Sequence, residues 1–217
     1  MTLHLNRPLN LFKPVAYICI AFATVMIGAC SILPKGAPPA EMFTLNAPHI
    51  QHNTHNTRNL PSVKVLLPQA ASGLETSRIA LRSGNNRIDY YRDIRWADNS
   101  TTLLQSLLVE SFDNSQAFKA VANDLMDLDT DYNLLVDIRD FQIEFSNDKP
   151  YANIRFVTKL IRNSPQTLVM TRTYHIRENA AANDLKSIMQ AFDNGYQKAA
   201  TAIVNDTINA LGSRAKK

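Results

Sequence analysis

Leu185, Ile188, Met189, Phe192, Tyr196, Ala199, Ile203 and Leu211 recur at helical spacing, and this stripe constrains the fold of the chain more than any other feature. It predicts a helix running from an Asn183 cap to Gly212, apolar along one side, which must cover another apolar surface. The sequence supplies that surface as strands. In the run 132–145, Leu134, Val136 and Ile138 share one face, and the apolar set then passes to Phe141, Ile143 and Phe145. Alternation thus changes phase at Arg139 and Asp140, and a β-bulge or bend there keeps both halves on the core. Ala152, Ile154, Phe156 and Leu160 alternate with Asn153, Arg155 and Lys159 in the next strand. After a turn at Asn163-Ser164-Pro165, residues 167–177 form a third strand with Leu168, Met170, Tyr174 and Ile176 inward and Arg172 as the exception.

Upstream, 63–67 is a β-branched apolar run stopped by Pro68, and 79–82 and 87–91 flank a turn at Ser83-Gly84-Asn85-Asn86. Leu104, Leu107, Leu108 and Phe112 then follow a cap at Asn99 or Ser100 in a helix that ends near residue 114. Two helices against one largely antiparallel sheet make a single α+β domain, set at 62–212, with a basic tail at 213–217 containing Arg214, Lys216 and Lys217.

The first 61 residues read differently. Arg7 and Lys13 precede a short apolar stretch that ends in Ile27-Gly28-Ala29-Cys30. Basic n-region, short h-region and small-residue cleavage site together predict a lipoprotein signal peptide at 1–29, cut between Ala29 and Cys30. The stretch is too short for the roughly 20 apolar residues of a membrane span. Cys30 would carry S-diacylglycerol and an N-acyl chain, and stable anchoring needs two or more such chains. Segment 30–61, with five of the ten prolines and a polar run at 51–59, predicts a tether, interrupted by an island at Met42-Phe43-Thr44-Leu45 able to dock as a short strand before the polar loop. Residues 31–41, extended, give roughly 30 Å of reach.

Removing 1–29 leaves 21 basic against 19 acidic residues, which gives no reason to expect a nucleic-acid partner. Cys19 departs with the signal peptide and Cys30 is acylated, so the mature domain has no cysteine pair and is expected to hold neither disulfide nor cofactor.

Met42-Phe43-Thr44-Leu45, Leu74-Glu75-Thr76-Ser77-Arg78-Ile79, Tyr90-Tyr91, Arg95-Trp96-Ala97 and the Leu103-Leu104-Gln105 helix follow the lipidated Cys30-Ser31 in order. In this the chain resembles the ABC-type transport auxiliary lipoproteins, the PqiC-like partners of MCE-protein systems. The resemblance implies an outer-membrane lipoprotein facing the periplasm, acting beside MCE proteins that carry lipid between membranes, and it supplies no catalytic residue. Ser31 after the cysteine, in place of Asp, agrees with outer-membrane sorting by the same resemblance. The expected role is a non-enzymatic docking component. The alternative is a lipid carrier with an internal pocket of its own.

Tyr90, Tyr91, Arg92, Arg95 and Trp96 combine large aromatics with guanidinium groups, the side chains that anchor interfaces with a partner or a neighbouring copy of the chain. Strand alternation puts the two tyrosines on opposite faces, and Trp96 fits a core position better than a contact. His49, His52 and His55, and the cluster Asp124, Asp127, Asp129 and Asp131, lack the completing ligands of zinc, copper or calcium sites and read as solvated loops, with no metal expected. No Gly-x-Ser-x-Gly elbow or phosphate loop is present, so no enzyme activity is expected.

Overall fold

The computed structural model describes residues 39–50, 59–84 and 87–213. Cys30 and the signal peptide, the tether at 31–38, His52 and His55, the tip Asn85-Asn86 and the tail 214–217 lie outside the described residues.

Among the described residues the fold is α+β, a mixed and mostly antiparallel nine-stranded sheet with two helices. Its spine is β7 (Tyr132–Ser146), which pairs antiparallel with β8 (Lys149–Arg162), and β8 in turn with β9 (Thr167–Asn179). The opposite edge of β7 is shared by three strands laid end to end, all parallel to it. β2 (Val63–Val65) pairs near its start, β3 (Gln69–Ala70) at its middle and β4 (Arg78–Ser83) toward its end. β6 (Val121–Ala122) pairs with β2, while β5 (Arg87–Trp96) pairs antiparallel with β4 and carries β1 (Glu41–Phe43). The phase change in β7 is a bulge in which Arg139 is the extra residue between the pairs Ile138↔Phe156 and Asp140↔Arg155. It keeps Phe141 and Ile143 in the core and turns Asp140, Gln142 and Glu144 to the other face. The hairpin closes at Asn147 and Asp148, both at positive φ (50° and 61°), the backbone that a two-residue primed turn requires.

Two inward assignments fail, each for a local reason. Leu168 is exposed because a second irregularity makes Val169 the extra residue between Leu160↔Met170 and Ile161↔Leu168, which reverses its phase. Phe145 is exposed because it pairs with Pro150 one step from the turn, at the end of the sheet. Arg172 does share the inner-face register but lies on the last strand, where its guanidinium approaches Asp206 of the second helix at 3.8 Å.

α1 (Ser100–Asn114) and α2 (Leu185–Gly212) cover one face. α2 is capped by Asp184, one residue after the expected Asn183, with Asp184 Oδ1 accepting from the Ser187 N–H at 2.9 Å. Its stripe buries Ile188, Phe192, Tyr196, Ala199, Ile203 and Leu211. Gly195 lets the helix lie close on the sheet, since a Cβ there would meet Ile154 Cδ1 at 2.9 Å. The fully buried Tyr196 hydroxyl lies 3.4 Å from Ser111 Oγ of α1, so this phenol has a polar partner where water is excluded.

Composition assigned 30–61 to the tether, and the structure moves part of that segment into the domain. β1 adds to β5, and Leu45, Pro48 and Ile50 are buried as the chain crosses the helices. The Asn46 N–H and side-chain amide both donate to Asp193 of α2, and Asn114 of α1 donates to the Pro48 carbonyl. Leu60 is buried as well and bridges to Phe118. The packed domain therefore begins with β1 and not at residue 62. No helix among the described residues is long and apolar enough to cross a membrane.

Candidate interface

The β4–β5 hairpin positions the aromatic and basic candidates. Between the pairs Arg78↔Arg95 and Ala80↔Tyr90, β4 contributes Ile79 alone while β5 contributes Tyr91, Arg92, Asp93 and Ile94. The surplus bulges β5 outward and shifts its phase, so that Trp96 enters the core although Tyr90, of the same parity, stays on the helix-free face with Ala80. Trp96 is 2% exposed, stacks on Phe141 at 5.2 Å between ring centroids and meets Phe192 edge-on at 5.0 Å. It is a packing residue, which removes it from the contact candidates.

Neither tyrosine belongs fully to the core. Tyr90 is half-buried and occupied: its hydroxyl donates to the Gly73 carbonyl at 3.0 Å, and the Arg78 guanidinium lies 3.9 Å over its ring. Tyr91 is half-buried in the bulge, and that burial pushes its hydroxyl above the usual tyrosine range. Arg92 and Arg95 are exposed, and β1 sets Met42, 73% exposed, opposite Arg95. The free contact surface is thus Met42, Tyr91, Arg92 and Arg95, on the strand edge that the tether leads into.

The sequence reading missed an ionic network on the helix-free face. Asp140, its side chain only 4% exposed, faces Arg82 Nη1 at 3.1 Å and Arg155 Nε at 2.6 Å. Arg82 also pairs with Glu144. Glu144 accepts from Tyr151 (2.7 Å), Asn153 (2.6 Å) and Gln142 (2.8 Å), and His175 Nε2 lies 2.9 Å from Asn153 Oδ1. Burial acts to raise the Glu144 carboxyl, but these three donors and the Arg82 charge outweigh it, and the group sits below the ordinary glutamate range. Donors occupy both carboxylates, so the network ties β4, β7, β8 and β9 together; removing Asp140 would leave the Arg155 guanidinium without its counter-charge and Arg82 with Glu144 alone. The signal for it was present in the phase change, which places Asp140, Gln142 and Glu144 opposite Asn153 and Arg155.

The aspartate cluster is dispersed. Asp124 accepts from the Leu67 N–H and from Gln105, whereas Asp131 binds the Ser62 N–H (2.8 Å) and hydroxyl (2.7 Å) and Lys119 (2.7 Å). His49 is exposed, and among the described residues no three His, Cys, Asp or Glu side chains are placed to hold a metal. The hydrogen bonds from Lys119 and Ser62 lower the Asp131 carboxyl to about 2. Because the folded value lies below the ordinary value of about 3.9, the stabilisation is complete above about pH 4 and is lost as pH falls toward 2. Asp131→Asn should cost about 1 kcal/mol at neutral pH, discounted for the exposure of this pair. Urea unfolding of both proteins should show the difference shrinking from pH 4 to pH 2; a gap independent of pH would contradict the ion-pair account.

Residues 43–204 match the family described as ABC-type transport auxiliary lipoprotein component. An uncharacterized protein of Bradyrhizobium diazoefficiens is 25% identical over 178 residues, which span 81% of this chain and 47% of that protein. The chain thus spans about half the length of this curated relative. The crystal structure of XCC0632 from Xanthomonas campestris, assigned to the family DUF330, superposes with a TM-score of 0.72 at 23% identity, covering 81% of this chain and 99% of that one. A second crystal structure, of an uncharacterized protein, gives a TM-score of 0.61 at 12% identity over 78% of this chain and 99% of the other. These two likenesses establish a shared fold. With a sequence match that begins inside β1 and runs through most of α2, the chain belongs to the ABC-type transport auxiliary lipoprotein component family.

Proposed function

We propose that this chain is a non-enzymatic outer-membrane lipoprotein, acylated on Cys30, that docks an MCE-type intermembrane lipid transport system from the periplasmic face. The observation that carries the reading is the division of labour among the aromatics. Trp96, Phe141, Phe156 and Phe192 fill the space between sheet and helices, while Tyr91, Arg92 and Arg95 stay accessible on the strand edge beside β1. A packed interior supports docking over carriage of a lipid within the domain. The edge chemistry suits a protein partner. Tyrosine offers wide contact area for little lost rotamer freedom, and arginine makes forked bonds to carboxylates.

Single alanine substitutions of Tyr91, Arg92 and Arg95 should each weaken copurification with the MCE-type partner by about fivefold to thirtyfold, equivalent to about 1–2 kcal/mol, with little change in melting temperature for the two exposed arginines and a modest drop for the half-buried Tyr91. Tyr90→Ala should behave differently and melt early, because its ring and hydroxyl already hold Arg78 and Gly73. If every variant that loses the partner also melts early, or if none loses it, this edge is packing and the reading fails.

A further inference from the structure

The loop between β6 and β7 presents large apolar side chains to solvent from an ordered turn. Leu125 is 91% exposed and Met126 49%, with Leu128 and Leu67 also exposed. Leu125, Met126 and Leu128 share one turn, and Leu67 lies beside its root, where its N–H donates to Asp124. Internal bonds fix the turn: the Leu125 N–H to Asn123 Oδ1 at 3.1 Å, the Met126 N–H to the Asn123 carbonyl at 3.3 Å and the Leu128 N–H to the Met126 carbonyl at 2.9 Å. Gln105 of α1 also donates to Asp124, and Asn163 to the Thr130 carbonyl, so both ends are tied to the domain. Leu67 itself lines a neighbouring groove of about 200 Å³ with Leu66, Leu135 and Val157, which Asp137, Arg139 and Lys159 also line. A contiguous exposed patch of this kind on a fixed scaffold is a recognition surface.

Its charge selects the occupant. Between Lys119 and Arg139 the chain carries Asp124, Asp127, Asp129, Asp131 and Asp137, and the two flanking cations pair with Asp131 and Asp137. Lys119 neutralises Asp131, whereas Asp127 and Asp129 make no hydrogen bond or ion pair among the described residues. An anionic bilayer would repel such a loop. We propose that Leu125, Met126 and Leu128, rimmed by Asp127 and Asp129, insert into an apolar cleft with a basic rim on the transport partner. This is a second contact, on a different edge from Tyr91 and Arg92, and it rests on the docking reading above.

The test uses the full-length lipidated chain and, as probe, the purified periplasmic domain of the host's MCE-type protein. The double substitution Leu125→Ser with Met126→Ser, at solvent-facing positions, should weaken binding about tenfold or more at unchanged melting temperature. Asp127→Lys with Asp129→Lys should do the same, and affinity of the unaltered chain should fall as salt rises. Loop variants that bind as well as the parent, while Tyr91→Ala and Arg92→Ala lose the probe, would overturn this inference and leave the docking reading standing. Absence of binding by the unaltered chain would overturn both. If the loop changes instead abolish flotation with phosphatidylethanolamine–phosphatidylglycerol vesicles, or self-association in sedimentation, without affecting the probe, the occupant named here is wrong.

Discussion

Trp96→Ala should destabilise the domain by about 3–5 kcal/mol, the range seen when a large buried aromatic is truncated. The indole is 2% exposed and joins three elements: its own strand β5, Phe141 of β7 and Phe192 of α2. Phe141 lies 5.2 Å from Phe192 and 6.3 Å from Phe156, so removing the indole opens a cavity that fixed rings surround and cannot easily refill. A domain of this size has about 5–15 kcal/mol of total stability, and the loss should lower the melting temperature by about 10 °C or more. Trp96→Phe, which keeps a ring in place, should cost distinctly less. Thermal and urea unfolding of the three proteins check this. A Trp96→Ala protein that melts with the parent would contradict the placement of Trp96 in the core and return it to the interface.

The long elements were legible because they repeat their period. The stripe from Leu185 to Leu211 has enough turns to fix both the helix and its buried face, and the strands from 132 to 177 alternate over enough residues for the Arg139 bulge to show as a phase change. Short elements carry no such signal. β2, β3 and β6 are two or three residues long, and their parallel pairing to the spine or to each other is decided by tertiary packing, not by local pattern. The β5 bulge was invisible because Tyr91, Arg92 and Asp93 include only one apolar residue and hence no alternation to break. The island from Met42 to Leu45 stands out as a strand able to dock, but a proline-rich, polar composition hides Pro48 and Ile50 beyond it, which bury themselves on the helices.

The candidate interface was legible as a cluster of residue types, but only in part in its division. Alternation sets the two tyrosines on opposite faces, and Trp96 fits the core, but only the fold shows that Tyr90 is committed to Arg78 and Gly73 while Tyr91 and Arg92 remain available. The apolar loop at Leu125 was overlooked because its aspartates drew the reading toward metal chemistry. Their geometry assigns them otherwise, with Asp124 and Asp131 fixing the two ends of the loop.

Docking as proposed depends most on Cys30, because a domain that meets its partner at a membrane needs an anchor, and the apolar stretch before Cys30 has fewer than the roughly 20 residues expected of a span. Two or more acyl chains on that residue would hold the domain stably, whereas a single chain gives only marginal and reversible binding. Cell fractionation of the full-length protein and of Cys30→Ser, each washed in high salt and then assayed for the MCE-type partner in the membrane pull-down, tests this directly. The parent should remain in the outer-membrane fraction together with the partner, and Cys30→Ser should move almost wholly to the soluble periplasm or stall as uncleaved precursor. A cleaved Cys30→Ser protein that stays membrane-bound through the salt wash would contradict the account.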